Sequence, residues 1–446
     1  VALSIASVIR DKKGGYDFLS GMLAAFAPEK VAEATGVPAK KMNELAQNFT
    51  ENSPGLALGG GPSSRNSNLT SLHVAINILN AVSGNLGKTV FFHDQPAPEN
   101  TSHQNLVQLI EDLKAGKVDL LIVDDSDPLH ALPNSTGFKE AMKNTFTVSL
   151  ASQKNDTSSE ADLQLPALTD YESWGDAFPR SGVRSIRQPV MAPVSLFEAK
   201  AREDVMLAAA KALNPESFEG ISDYRDFIRK EWQNIQQESG NRSHFDQFWV
   251  KVLEEGGLFS KPNLKSVSLK NEASQLKLEE TKISGTGLTL IPTTSLFHGD
   301  GRGARNPWLQ EVPDPMSQIV WDSWMEINPD TAKKMGIKDR SVVQLQTSQG
   351  SVKATAYYHF GIHRDAVAIP IGQGHENSGD VADGFGVNVM NLLPTEMDES
   401  GSLALVTTRA ALNAVEDLSY TVNLDGNARQ LGRNIAAATT VDELNN

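Results

Sequence analysis

With 446 residues the chain is long enough to bury a substantial core, in two or three domains. Forty basic against fifty-five acidic side chains leave a net charge of −15, the wrong sign for non-specific nucleic-acid binding. Zero cysteines exclude thiolate-bound iron–sulfur clusters and cysteine-type zinc sites within these residues. The longest apolar runs are broken within about ten residues, short of the roughly 20 that span a bilayer, so membrane contact is expected only through partners.

The chain opens at Val1 on an amphipathic helix pattern (Val1, Leu3, Ile5, Val8, Ile9) and is read as a fragment of a longer polypeptide. A helix is expected from Pro28, a turn at Gly36-Val37-Pro38, and a second helix over 39–49. Leu56, Ala57 and Leu58 read as a short strand running into Gly59, Gly60 and Gly61, with a helix over 69–83 after a polar loop. A strand, glycine turn and helix can present backbone N–H groups to an anion, although three glycines also make an ordinary tight turn.

Next come a helix over 106–113, a buried strand over 118–123, a loop over 124–128, a helix over 138–143 and a second buried strand over 146–150. This order implies a parallel pair with a right-handed crossover. Ligands of such sheets sit beyond the carboxyl ends of the strands. Asp125, Asp127 and the loop after Leu150 therefore face the expected crevice, unless the acidic loop is merely solvated.

In 151–194, Pro166 should end a strand, Glu172 can anchor a loop through charge-assisted hydrogen bonds, and Gly175 permits a turn. A helix over 199–213 precedes a polar stretch, 220–285, with helices over 224–236 and 245–254 and no functional signal.

From Gly287 the pattern turns β-rich, with strands expected over 288–292, 325–327, 341–347, 351–358 and 366–370. Gly299, Gly301 and Gly303 form one glycine-rich loop, and Gly372, Gly374, Gly379, Gly384 and Gly386 punctuate another. Between them Asn328 and Pro329 open a short helix over 330–335 that ends at Gly336. A last strand is expected over 420–424, before an Ala/Asn-rich tail.

Several enzyme templates are missing: H-E-x-x-H, G-x-S-x-G and G-x-x-x-x-G-K-[ST]. The nine histidines are dispersed, and only His359 and His363 have metal-ligand spacing, across a strand end where a turn role is the simpler reading. His375 and Gln373 lie in the second glycine-rich loop, where loop packing and ligand contact are both open.

Two ordered sets of motifs resemble the molybdopterin oxidoreductase superfamily. One is LFHGDGRGARNPWLQEVPDPMSQIVWDSWMEINP with AIPIGQGHENSGDVADGFGVN; the other is the Asp156-Thr157 turn, ADLQLP, ESWGD and the Gly182 to Pro193 loop. The resemblance implies an α/β fold with a parallel sheet plus a C-terminal six-stranded, double-psi-like β-barrel. It divides the chain into partial α/β domains over 1–215, a helical insertion and linker over 216–285, and a pterin-dinucleotide-binding-like barrel over 286–446. Carried over residue by residue, the family's cofactor-facing positions are Gly59, Gly60, Gly61, Asp125, Asp127, Asp156, Thr157 and Asp162 in the α/β part. In the barrel they are Gly301, Arg302, Asn306, Gln373, His375 and Asn388, the last the best candidate for an amide contact. The metal's protein ligand and the family's cysteine motif would lie upstream of Val1, so no catalytic or metal-binding residue is assigned here.

Catalytic members of the superfamily hold a Mo/W-bis-pterin guanine dinucleotide. The wording of the barrel motifs is more similar to the molybdopterin-like subunits of alternative complex III and of membrane quinone reductase complexes, which keep the fold without the metal site. Asp124-Asp125-Ser126 stands where catalytic relatives have a small Gly/Ala-Asn step, and its carboxylates would repel a pyrophosphate. The expectation is therefore a scaffold subunit that binds no cofactor of its own, with 4Fe-4S clusters held in other segments or partners. Implied partners are an iron–sulfur domain or subunit, a quinone-binding integral membrane subunit and c-type cytochrome subunits, on the periplasmic side of the bacterial inner membrane. The implied process is quinol oxidation, with electrons passed through the clusters to cytochromes. The alternatives are a catalytic oxidoreductase of the polysulfide, thiosulfate or tetrathionate reductase type, and a free-standing binding module with no redox role.

Overall fold

The computed structural model describes residues 1–93, 102–275, 281, 283–416 and 421–424. The chain divides into two compact units, Val1–Ser284 with Leu393–Thr408, and Gly285–Leu392 with Arg409–Asn446.

In the first unit, helices α1 (Ala2–Lys13), α2 (Ala39–Glu51) and α3 (Leu69–Ser83) bury apolar stripes against one another. Leu3, Ala6, Ile9, Ala46, Ile78 and Val82 form their core, with Leu19 and Leu23 from the short helical segments Asp17–Leu19 and Ser20–Ala24 between α1 and α2. The expected strand at Leu56–Ala57–Leu58 does not form. A strand needs a ladder partner, and here the Asn80 side-chain amide takes that place: its Oδ1 accepts from Ala57 N at 2.9 Å and its Nδ2 donates to Ala57 O at 2.9 Å.

Helices α4 (His103–Lys114) and α5 (Phe138–Met142) lie on one face of a parallel sheet, in which β1 (Leu120–Asp124), β2 (Phe146–Ala151) and β3 (Leu163–Pro166) pair in chain order. Ile110, Leu113, Phe138, Ala141 and Met142 pack there against Leu121. These strands were expected to be buried, but Leu120, Ile122, Phe146 and Leu163 are exposed. A short helix α6 (Asp156–Glu160) joins β2 to β3, and α7 (Arg202–Leu213) follows later.

The 175–187 stretch, read as a turn and loop, is an antiparallel hairpin of β4 (Gly175–Arg180) and β5 (Val183–Arg187), extended by β6 (Gly257–Phe259). Helices α8 (Tyr224–Glu238) and α9 (Phe245–Glu255) pack on it through Ile228, Trp232, Phe248, Trp249 and Val252 around Ile186.

The second unit is a closed six-stranded barrel. Its strands are β7 (Leu288–Thr294), β8 (Trp324–Ile327), β9 (Val342–Gln346), β10 (Ser351–Tyr358), β11 (Ala366–Ile371) and β12 (Arg409–Glu416). Around the barrel the order is β8, β10, β9, β12, β7, β11, with β8/β10 and β7/β11 parallel and the remaining pairs antiparallel. Closure removes the open edges a flat sheet would leave. Leu290, Met325, Ile327, Val343, Leu345, Val367 and Ile369 fill the interior.

Helix α10 (Pro329–Lys334) starts as its sequence requires: Asn328 Oδ1 accepts from Asp330 N at 3.0 Å, and Pro329 occupies the position whose N–H has no partner anyway. Gly336, at φ 69°, turns the chain out of it. The last barrel strand is Arg409–Glu416, where 420–424 was expected. RAALNAVE is alanine-rich and weak in strand preference, so only its place in the barrel makes it a strand. Tyr420 lies outside the described residues, while Val422 O and Gln318 O accept from Val320 N and Leu424 N. None of the described helices is long and apolar enough to cross a membrane.

Candidate functional site

At the carboxyl ends of β1 and β2 the structure gathers most of the acidic residues expected there. Asp125 is held at φ 42°, a left-handed conformation unusual for a residue with a Cβ. Its N–H donates to Leu150 O at 2.7 Å, and its Oδ1 accepts from Ser152 N and Oγ at 3.4 and 3.3 Å. Asp127 Oδ1 accepts from Thr157 N at 2.9 Å and Thr157 Oγ1 at 2.7 Å, and Thr157 Oγ1 in turn accepts from Leu129 N at 3.0 Å. Thr157 thus ties the two loops together. Asp156 is buried with its Oδ2 3.9 Å from His130 Nδ1. Asn155 and Ser158 close α6 with reciprocal bonds of 2.7 and 2.8 Å. Beside this cluster lies a cavity of about 310 Å³ lined by Ser149, Ser152, Gln153, Lys154, Ser158 and Gln164.

Asp162 stands elsewhere. Its Oδ2 accepts from Thr147 N at 2.7 Å, which places it at the opposite, amino-terminal end of the sheet.

Arg202, a residue the sequence reading missed, changes the electrostatics of the acidic loop. Its Nη1 is 3.4 Å from both Asp124 Oδ1 and Asp125 Oδ2, and its Nη2 is 3.8 Å from Asp170, which also pairs with Arg187 at 2.8 Å. Burial would lower the Arg202 pKa, but Asp125, Asp124, Glu203 and Asp170 outweigh it and hold the guanidinium above its ordinary value. Part of the negative charge expected to repel a pyrophosphate is thereby offset. No local signal could have found this pair, because 78 positions separate Arg202 from Asp124.

Gly59 and Gly60 lie against α3, while a Cβ on Gly61 would meet open space. A Cβ on Gly59 would come 2.9 Å from Ile76 Cγ1, and one on Gly60, at φ 96°, would sit 3.5 Å from His73 Nε2. They lead into a short 3₁₀ turn, Pro62–Ser64, rather than into the first turn of α3. An adjoining cavity of about 390 Å³, lined by Leu56, Leu58, His73, Ile76 and Asn77 among others, is mostly apolar.

In the second unit the two glycine-rich loops are knitted to each other. Gln310 and Gln373 are buried and exchange amide bonds of 3.1 and 2.7 Å, and Gln310 Nε2 also reaches Ala304 O at 2.9 Å. His375 Nε2 lies 3.0 Å from Gly301 O, so that nitrogen donates, while Nδ1 at 3.1 Å accepts from Ser378 Oγ. Asp383 receives Ser378 N and Gly379 N at 2.6 and 3.0 Å. Asn388 Oδ1 accepts from Met390 N at 2.9 Å and caps the turn that follows. Asn306 Oδ1 caps the next turn through Trp308 N at 3.0 Å, and Arg302 forms a two-pronged pair with Asp300 at 2.9 and 2.9 Å. Gly374 is obligatory here: a Cβ would come 2.0 Å from Asn388 N.

His298 is a second residue the sequence reading missed. Its Nε2 is buried without a partner, and burial first, then the proximity of His375, keep the imidazole below its ordinary pKa against a raising contact from the Leu309 carbonyl. His359 and His363 take up turn roles: His359 Nδ1 is 2.7 Å from Glu326 Oε2, and His363 Nδ1 accepts from Asp365 N at 3.2 Å.

Residues 302–410 match the molydopterin dinucleotide binding domain family. The solved structure of acetylene hydratase from Pelobacter acetylenicus superposes with a TM-score of 0.68 over 93% of this chain and 70% of that one, at 16% identity. The chain has the molybdopterin oxidoreductase fold. Among curated relatives of this fold, it is 26% identical over 417 residues to the menaquinone reductase molybdopterin-binding-like subunit of Nitratidesulfovibrio vulgaris, covering 89% of this chain. It is 22% identical over 298 residues, 59% of its length, to the assimilatory nitrate reductase catalytic subunit of Bacillus subtilis. The matched regions span 58% and 39% of those two relatives.

The groups that the molybdopterin fold would offer to a pterin dinucleotide can be tested within each unit. Gln373, His375 and Asn388 already bond to the protein's own atoms, and Asp125 and Asp127 present acceptors where a pyrophosphate requires donors. As arranged, Gln373, His375 and the Asn388 amide oxygen are engaged within the protein.

Proposed function

We propose that this chain is a molybdopterin-like, scaffold part of a membrane-associated respiratory electron-transfer complex that oxidises quinol. The observation that carries this reading is the self-satisfied state of the glycine-rich loops: the Gln373 amide and His375 imidazole, expected to face a cofactor, clasp the two loops together instead. The menaquinone reductase relative, itself a subunit, supports a place in a multi-subunit assembly. With no cysteine in these residues, electrons cross the complex on iron–sulfur clusters held by other segments or partners. A quinone-binding integral membrane subunit supplies the electrons and c-type cytochrome subunits receive them, with the chain peripheral on the periplasmic side, as in alternative complex III. The family resemblance supports these finer assignments. The chain's role is to hold the cluster-bearing partner in place for electron transfer.

Elemental analysis for molybdenum and tungsten on the intact, quinol-oxidising complex tests this reading. Full turnover with only trace metal supports it. One Mo or W per chain overturns it in favour of a catalytic Mo/W-bis-pterin enzyme, the reading that the likeness to a nitrate reductase catalytic subunit favours.

A further inference from the structure

Between Arg187 and Glu198 the first unit carries ten residues without a charge, QPVMAPVSLF, in a chain that is 21% charged. The run does not bury its apolar side chains. Val190, Leu196 and Phe197 stand 77%, 79% and 64% exposed, Met191 and Val194 are exposed as well, and the adjoining Tyr171 adds a ring at 69%. Single exposed apolar residues need no explanation, but this many in one uncharged loop mark an interaction surface.

The loop is held in place from behind. Val190 N and Met191 N both donate to Tyr171 O, at 2.9 and 3.2 Å, and Val194 N donates to Glu172 Oε1 at 2.8 Å. Phe197 N donates to Val194 O at 3.3 Å, and the Gln188 amide reaches Leu253 O at 3.1 Å. Pro189 and Pro193 have no N–H to satisfy. Most of the loop's backbone donors are therefore used within the protein, while its apolar side chains point away from it. Hydrocarbon demands that combination, because a backbone donor carried into lipid without a partner costs several kcal/mol.

We propose that residues 188–197 dip into the headgroup and upper acyl region of a zwitterionic bilayer, with Val190, Met191, Leu196 and Phe197 as the inserted side chains. This deepens the membrane-associated reading above and rests on it: the chain makes a lipid contact of its own, in addition to contact through partners. Charge selects the lipid. Arg187 is already paired with Asp170, and the exposed Glu198 and Lys200 oppose each other, so the rim of the loop is nearly neutral and matches a zwitterionic headgroup. The net −15 of the chain is repelled by an anionic surface and by a second copy alike. Another protein would need a cavity shaped to side chains that stand this far out, whereas fluid lipid closes around them without one.

In the test, the complete complex is reconstituted in phosphatidylcholine nanodiscs with photoreactive p-benzoylphenylalanine replacing Phe197 in one preparation and Val190 in another. After irradiation, digestion and mass spectrometry, adducts to lipid acyl chains are expected. Adducts to another subunit, to a second copy or to other residues of the same protein, or no adduct at all, overturn the proposal. In parallel, the full chain is floated with phosphatidylcholine vesicles. Leu196→Asp combined with Phe197→Asp should lower its bound-to-free ratio on the order of ten-fold or more, because carboxylates do not enter the acyl region. Both positions are exposed, so the fold is expected to survive the change, as an unaltered circular dichroism spectrum would confirm. An unchanged ratio, or no flotation of the unsubstituted chain, overturns the proposal. Adding phosphatidylglycerol should weaken binding at low salt, and tighter binding would overturn the zwitterionic assignment. The metal analysis decides the scaffold reading independently of these results.

Discussion

Glu172 holds two loops with one carboxylate. Its Oε2 accepts from Thr169 N and Oγ1 at 3.0 and 2.8 Å, and its Oε1 accepts from Val194 N at 2.8 Å. The backbone N–H of Thr169, then that of Val194, hold the group below its ordinary 4.5. A carboxylate depressed on folding contributes stability that is complete above its ordinary pKa and is lost as pH falls through the folded value. Glu172→Gln should therefore speed amide exchange across 188–198 at neutral pH and leave it nearly unchanged in acid. Equal exchange in both proteins at neutral pH would remove the anchoring role, which the sequence suggested through an acid three residues before Gly175. His298 gave no such notice, because only burial makes it unusual. Its imidazole is depressed below 6.5, so the second unit should lose stability as pH drops below that value, where the unfolded chain takes the proton more readily. His298→Leu should flatten the pH dependence of the melting temperature over that range; an unaltered slope would show that His298 is not its source.

Among elements, the clasp between the two barrel loops is where packing and hydrogen bonding reinforce each other. Gln310→Ala leaves the buried Gln373 amide without its partner and should cost about 1–3 kcal/mol in denaturant unfolding. The double variant with Gln373→Ala should cost clearly less than the sum of the two single changes, since both remove one shared contact. Strict additivity would mean that the two amides do not act as a pair. Gly374→Ala forces a Cβ onto Asn388 N at a φ of 86° and should destabilise the unit by more than about 2 kcal/mol. Five barrel strands and α10 were legible in the sequence because alternation, Asn328 and Gly336 are local signals. The strand at Arg409–Glu416 was not, since its alanines carry little preference, and the strand expected at Leu56 to Leu58 failed for want of a neighbour.

For the whole molecule, the fold allows a catalytic enzyme or a scaffold, and cofactor content separates them. If the loops are a permanent clasp, a purified, active complex should release no fluorescent pterin on acid oxidation, matching its metal content. Stoichiometric pterin without metal would separate the two questions: the pocket would be occupied, but the chain would still lack a redox centre. Either way, any thiolate-bound cluster that serves the complex must be ligated by cysteines outside these 446 residues.

By itself the sequence determined what depends on neighbours along the chain. The absence of cysteine ruled out clusters, spacing revealed the glycine loops, and periodicity revealed the barrel strands and the parallel pair. Tertiary structure alone decided what each polar group does. Gln310 and Gln373 are 63 positions apart and Arg202 and Asp124 are 78, and no local pattern encodes such a meeting. A buried donor or acceptor must find a partner wherever the fold brings one, and for Gln310 and Gln373 the folded chain supplies it.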